Sequence, residues 1–192
     1  MPNWCNTVYV IDGDAQEVNA LYDLMKELEG RKKPSIENGF GITWLGCLVD
    51  ALGEDWHEIH CRGCWEGPEL DDGILTFRTQ TAWASCNEVF DLVCKKYPSL
   101  SYYYQAEEPG IGDYYTNDIA GKYFPERFLV YLCTDDDECI TEYFSSLSCA
   151  YKWIEDISEQ PIQSEHDIQS LEQWWRGINP NAFIHIHEFI MK

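Results

Sequence analysis

The chain has 192 residues, 45% of them hydrophobic and 15% aromatic, and carries 34 acidic against 13 basic residues, a formal net charge of −21. The apolar content excludes intrinsic disorder, which needs low hydrophobicity beside high charge, and no run of about 18 apolar residues is present to span a membrane. The acid is spread along the chain, so no half is a separate acidic tail, and Arg31-Lys32-Lys33 is too short to form the basic surface that direct nucleic-acid binding needs; a basic protein is the natural electrostatic partner.

Residues 4–11 (WCNTVYVI) are β-branched and aromatic and read as a strand, followed by the turn Asp12-Gly13-Asp14. Val18, Leu21, Tyr22, Leu24, Met25 and Leu28 then recur at helical spacing up to Gly30. Residues 31–42 are loop-like, and 43–52 fit a helix or a short buried strand equally well. Two strands are expected at 55–65 and 74–83, joined through the turn-rich 66–73. Ser85-Cys86-Asn87-Glu88 has the form of a capping box, with Ser85 and Glu88 satisfying each other's backbone N–H groups. It leads into a helix through Val89, Phe90, Leu92 and Val93, which Pro98 ends. Residues 100–107 and 111–119 read as a tyrosine-rich strand pair.

The order β-α-(insert)-β-β-α-β predicts an α+β, ferredoxin-like split βαβ: an antiparallel sheet with helices on one face. The domain is expected over 1–122, with an insertion at about 31–54. A C-terminal α+β extension, 123–192, is expected to pack on it. There, 127–133 and 140–144 read as strands around the acidic turn Asp135-Asp136-Asp137-Glu138, helices follow at 146–157 and 164–175, and 183–190 (FIHIHEFI) alternates as a closing strand. The nine cysteines are odd in number and irregularly spaced, and no secretory signal is visible. Reduced, partly buried thiols in a cytoplasm are therefore expected.

Four fragments, in order, carry a resemblance: Met1-Pro2-Asn3-Trp4-Cys5 entering the first strand; Thr81-Ala82-Trp83 at a strand end; Tyr104-Gln105-Ala106-Glu107-Glu108-Pro109-Gly110; and Tyr123-Phe124-Pro125-Glu126-Arg127. Together they make residues 1–127 similar to the YubB-type ferredoxin-like domain family of bacterial plasmids, phages and other mobile elements. Ala84-Ser85-Cys86 stands where other members have a proline-containing loop, and Arg62-Gly63-Cys64-Trp65 resembles the family's Gly/Trp-rich loop only loosely. The resemblance implies a fold and an origin. It brings no activity, cofactor or catalytic residue.

Several clusters invite chemistry. His57, His60, Cys61 and Cys64 are the residue types of a zinc site, but on a strand His57 and Cys61 would face one side, His60 and Cys64 the other. His185 and His187 share a strand face. Asp135–Glu138 lacks the alternating acids and central Gly of an EF-hand loop. Tyr102 and Tyr104 share a face opposite Tyr103; RRM domains stack bases on such aromatics, yet the RRM signature is absent, and burial under the C-terminal segment is expected instead. Glu107, Glu108, Asn117 and Asp118 are expected to form a polar hairpin tip serving as a binding surface, since functional residues concentrate on loops held by a rigid sheet. No nucleotide-binding loop or nucleophile elbow occurs, so no catalytic residue and no cofactor are expected. The expectation is an acidic cytoplasmic interaction module that engages a basic protein or mimics the charge of DNA. The alternatives are a metal protein or enzyme built on the His57–Cys64 cluster, and an RRM-like single-strand binder. Oligomeric state is left open.

Overall fold

The computed structural model describes residues 3–192, a mixed α+β chain with five helices and two sheets among them. No helix among the described residues is long and apolar enough to cross a membrane. The chain divides into two compact units: one runs to Asp118 and includes Lys192, the other is Ile119–Met191.

The first unit contains β1 (Trp4–Asp12), α1 (Ala15–Glu29), α2 (Leu45–Ala51), β2 (Gly63–Asp71), β3 (Ile74–Ala82), α3 (Asn87–Lys96), β4 (Ser101–Glu108) and β5 (Asp113–Thr116). Its strands lie in the order β2-β3-β1-β4-β5, every neighbouring pair antiparallel. Alternation sends Cys5, Tyr9 and Ile11 of β1, Leu75 and Phe77 of β3, and Tyr104 and Ala106 of β4 into one core with Val18, Leu21, Met25 and Leu28 of α1 and Val89, Phe90 and Val93 of α3. Each fully buried Leu or Ile contributes about 1.5–3 kcal/mol. Asp14 caps α1 by accepting from Gln16 N at 2.9 Å. The ambiguous 43–52 segment is the helix α2, whose Leu45, Cys47, Leu48 and Val49 are fully buried.

Three local expectations are corrected. Residues 55–62 are turn and loop, because Asp55 Oδ1 accepts from His57 N (3.0 Å) and Asp55 O from Glu58 N (3.1 Å), folding the backbone over before a ladder can start. The turn-rich 66–73 is instead mostly strand: a register shift between Glu66 and Glu69 absorbs Gly67 and Pro68. The hairpin then closes tightly on Asp72 (φ +45°) and Gly73 (φ +78°), both left-handed as a two-residue type I′ turn requires. The capping box does not form: α3 begins after Cys86 with no side-chain cap.

The second unit contains β6 (Phe128–Cys133), β7 (Cys139–Phe144), α4 (Leu147–Ser158), α5 (Glu165–Ile178) and β8 (Phe183–Glu188), with its sheet in the antiparallel order β7-β6-β8. Ser146 and Ser164 cap the helices by accepting from Cys149 N and Asp167 N, each at 3.3 Å. Val130 and Leu132 pack against Ala150, Ile154, Ile168, Leu171, Trp175 and Ile184. The expectation of reduced thiols throughout is also corrected: Cys133 and Cys139 stand directly opposite on β6 and β7 and form a disulfide.

Candidate functional site

Because β1 runs antiparallel to both β3 and β4, its first residues meet the last residues of each: Trp4 lies opposite Ala82, and Asn6 opposite both Gln80 and Glu107. Three of the four resembling fragments thus converge at one end of the sheet. Met1 and Pro2 of the first fragment lie outside the described residues.

The convergence is held by polar contacts, several of them buried. Trp83 N donates to Asn3 O (2.9 Å), and Thr81 Oγ1 is within bonding distance of Ala84 O (2.7 Å) and Cys5 O (3.3 Å). The Tyr115 hydroxyl accepts from Ser85 N at 2.8 Å and donates to Ser85 Oγ at 3.1 Å. This is why the capping box fails, since Tyr115 has taken the serine; Glu88 accepts from His60 N (2.8 Å) instead. Around this frame Trp83 adopts φ +74° and stays 49% exposed, Trp4 is 39% exposed and Ile111 64%. A bulky residue in the left-handed region costs about 1–3 kcal/mol and persists only where its surroundings over-determine it. Here the frame turns an indole outward.

The expected binding residues do not assemble as a hairpin tip. Glu108 is buried and accepts from Gly110 N (3.0 Å) and Ile111 N (2.8 Å), so its carboxylate builds the turn. Asn117 extends the β4 pairing beyond β5, accepting from Tyr104 N (2.9 Å) and donating to Tyr102 O (3.0 Å). That is about 10 Å along the strand from Glu107. Asp118 is buried beside it in sequence. Glu107 is half-buried at the convergent end, opposite Asn6 and Tyr114.

The four residues of the metal alternative part company. His57 Nδ1 pairs with Asp55 at 2.6 Å on the surface, its ring stacked on Trp56; His60 Nδ1 lies 3.8 Å from Cys86 Sγ. The thiols of Cys61 and Cys64 turn to the carbonyls of Trp56 and Phe40, each at 3.6 Å. Among the described residues no group of three or more His, Cys, Asp or Glu is placed to hold a metal ion. Burial pushes the thiols of Cys5, Cys64 and Cys94 up, Cys61 up to about 11 and Cys86 up to about 12, so these sulfurs are protonated and poorly nucleophilic at neutral pH.

Tyr104 belongs to the core of the first unit, and Tyr102 packs against it, partly buried. Tyr104 lies 5.9 Å from Tyr9 by ring centroid, and Tyr102 donates to Asp91 Oδ1 at 2.7 Å. Asp135–Glu138 is the β6–β7 turn, where Asp136 accepts from Thr134 Oγ1 and Asp137 from Asn179 Nδ2. His185 and His187 share a face of β8, their rings 5.9 Å apart. Comparison with protein-family models, curated proteins and solved structures gives no match to this chain.

Proposed function

We propose that the chain is an acidic interaction protein without catalysis that recognises a basic protein through the strand-end surface bearing Trp4 and Trp83. The carrying observation is Trp83, a half-exposed indole held at φ +74° by a buried Thr81–Ser85–Tyr115 frame, on a chain of net charge −21. Exposed tryptophans are favoured anchors in protein interfaces, and their ring faces attract Arg and Lys. The surrounding negative field draws a cationic partner and repels nucleic acid. In its stronger form the carboxylates stand in for phosphates, and the partner is a nucleic-acid-binding protein of the host. The first unit is taken as a ferredoxin-like domain of the YubB type, from a mobile element and acting in the cytoplasm. The order β2-β3-β1-β4, with α1 between β1 and β2, α3 between β3 and β4, and α2 as an additional helix before β2, supports that fold, and the convergence of the resembling fragments supports the family.

The test is capture from bacterial lysate on the immobilised full chain at about 50 mM salt, with release at about 500 mM, where screening is strong. A basic protein retained by the native chain, displaced by salt and lost with Trp83→Ala is the expected result. Equal retention by Trp83→Ala, or no retention at the lower salt, overturns the reading. Competition of the captured protein by duplex DNA decides the charge-mimicry form.

A further inference from the structure

The second unit carries an interaction surface of its own. Along β6, the bonded pair Thr134–Glu138 (N–O 2.9 Å) fixes the alternation: residues 128, 130 and 132 bond to β7, and 129, 131 and 133 to β8. Phe189 N to Arg127 O (2.9 Å) continues the same pattern. Phe183, His185 and His187 therefore turn their backbone groups to β6, while Ile184, Ile186 and Glu188 turn theirs to the opposite edge. Among the described residues no strand pairs with β8 on that side.

This edge borders an open groove of about 580 Å³ between β8, α4 and α5. Its floor is apolar, with Ile168, Ile184 and Ile186 prominent, and its rim carries Glu165, Glu172 and Glu188; neither Lys nor Arg lines it. Glu172 is bonded to Arg176 through Oε1. The groove thus offers backbone donors and acceptors, an apolar bed and a negative rim side by side.

We propose that this groove binds an extended segment of a basic protein, which adds to β8 as a fourth strand with Lys or Arg at alternate positions facing α5. Strand addition of this kind takes affinity from the backbone and specificity from alternate side chains. A residue opposite Ile186 puts its own N–H onto β8 and its side chain on the α5 side. There a long aliphatic stem covers the isoleucines while the cationic head reaches Glu165 and Glu172. The proposal is independent of the Trp83 surface.

The probe is a fluorescein-labelled, end-capped peptide of alternating Thr and Arg, titrated with the full chain and read by fluorescence anisotropy. Saturable binding is expected. N-methylation of the arginine backbone nitrogens, which face β8, should weaken it more than about tenfold. N-methylation of the threonines, whose N–H groups face solvent, should leave it nearly unchanged. Glu165→Gln/Glu172→Gln is expected to weaken binding to the unmodified peptide. Ile186→Pro should do the same, since it removes only an outward N–H, a loss tolerated on an edge strand; circular dichroism checks that this variant folds. Equal loss from both methylations, no binding up to about 1 mM peptide, or self-association of the chain through this edge that excludes the peptide overturns the proposal.

Discussion

The backbone N–H of Trp83 donates to the carbonyl of Asn3 at 2.9 Å, joining the end of β3 to the residue before β1. That bond holds Trp83 in a left-handed conformation which its own side chain disfavours. The strand-end surface is therefore set by backbone geometry rather than by packing of the exposed indole.

Glycine tolerates this conformation freely. Trp83→Gly is expected to leave the urea midpoint unchanged or raise unfolding free energy by up to about 1 kcal/mol, while partner capture is lost. A fall of more than about 1 kcal/mol in equilibrium unfolding would show that the indole is a packing residue and refute this account.

Tyr115→Phe removes the hydroxyl that serves both Ser85 N and Ser85 Oγ. The buried amide of Ser85 is left without its partner, which costs about 1–3 kcal/mol. Chemical denaturation should show that loss, with faster amide exchange confined to residues 84–86. A variant as stable as the parent would remove the frame from the argument.

The buried thiols give alkaline stability a sign. Cys86 is raised from 9.0 to about 12 by burial first, then by the neighbouring Cys61. Between those values the unfolded chain has lost a proton that the folded chain keeps, so stability falls as pH rises through that window and is unaffected by this group below it. Each unit of the window is worth about 1.4 kcal/mol. Urea midpoints at about pH 8 and pH 11 should differ in that direction, and Cys86→Ala should flatten the difference. Equal midpoints in the native chain would contradict the burial argument.

Cysteine labelling separates the sulfurs. Cys149 is exposed and is expected to react first with iodoacetamide, while Cys5, Cys47, Cys61 and Cys86 stay protected in the folded chain. Cys133 and Cys139 become reactive only after reduction, and opening that bridge is expected to cost about 2 kcal/mol. Intact-mass spectrometry reads each step; modification of Cys133 without reductant would rule out the disulfide.

Periodicity was a good guide wherever burial alone set the pattern. Val18, Leu21, Met25 and Leu28 share one buried face of α1, and 183–188 forms the expected strand β8 with Ile184 buried between half-buried Phe183 and exposed His185. It failed where one side chain redirected the backbone. Residues 55–65 read as a strand, yet Asp55 folds the chain back through His57 N and Glu58 N. Gly67 and Pro68 look like a turn, yet a bulge carries them within β2. The Ser85–Glu88 box was lost to Tyr115, a competitor 30 positions away that no local window contains. The pairing of Cys133 with Cys139 needs the β6–β7 register before it can be seen. For the site, the signal present in the sequence was that Trp4, Trp83 and Glu107 all fall at strand ends, which antiparallel pairing gathers together. The left-handed backbone of Trp83 left no trace in composition or spacing.

The open edge of β8 also bears on colloidal behaviour. An unpaired ladder is a template for any other chain, including a copy of itself, and at neutral pH the strong like charge of two copies keeps them apart. Acid erodes that guard while leaving the backbone template intact. As the solution approaches the sequence pI of about 4.3, light scattering should rise through growth of sheet-rich assemblies, and Ile186→Pro should delay their onset.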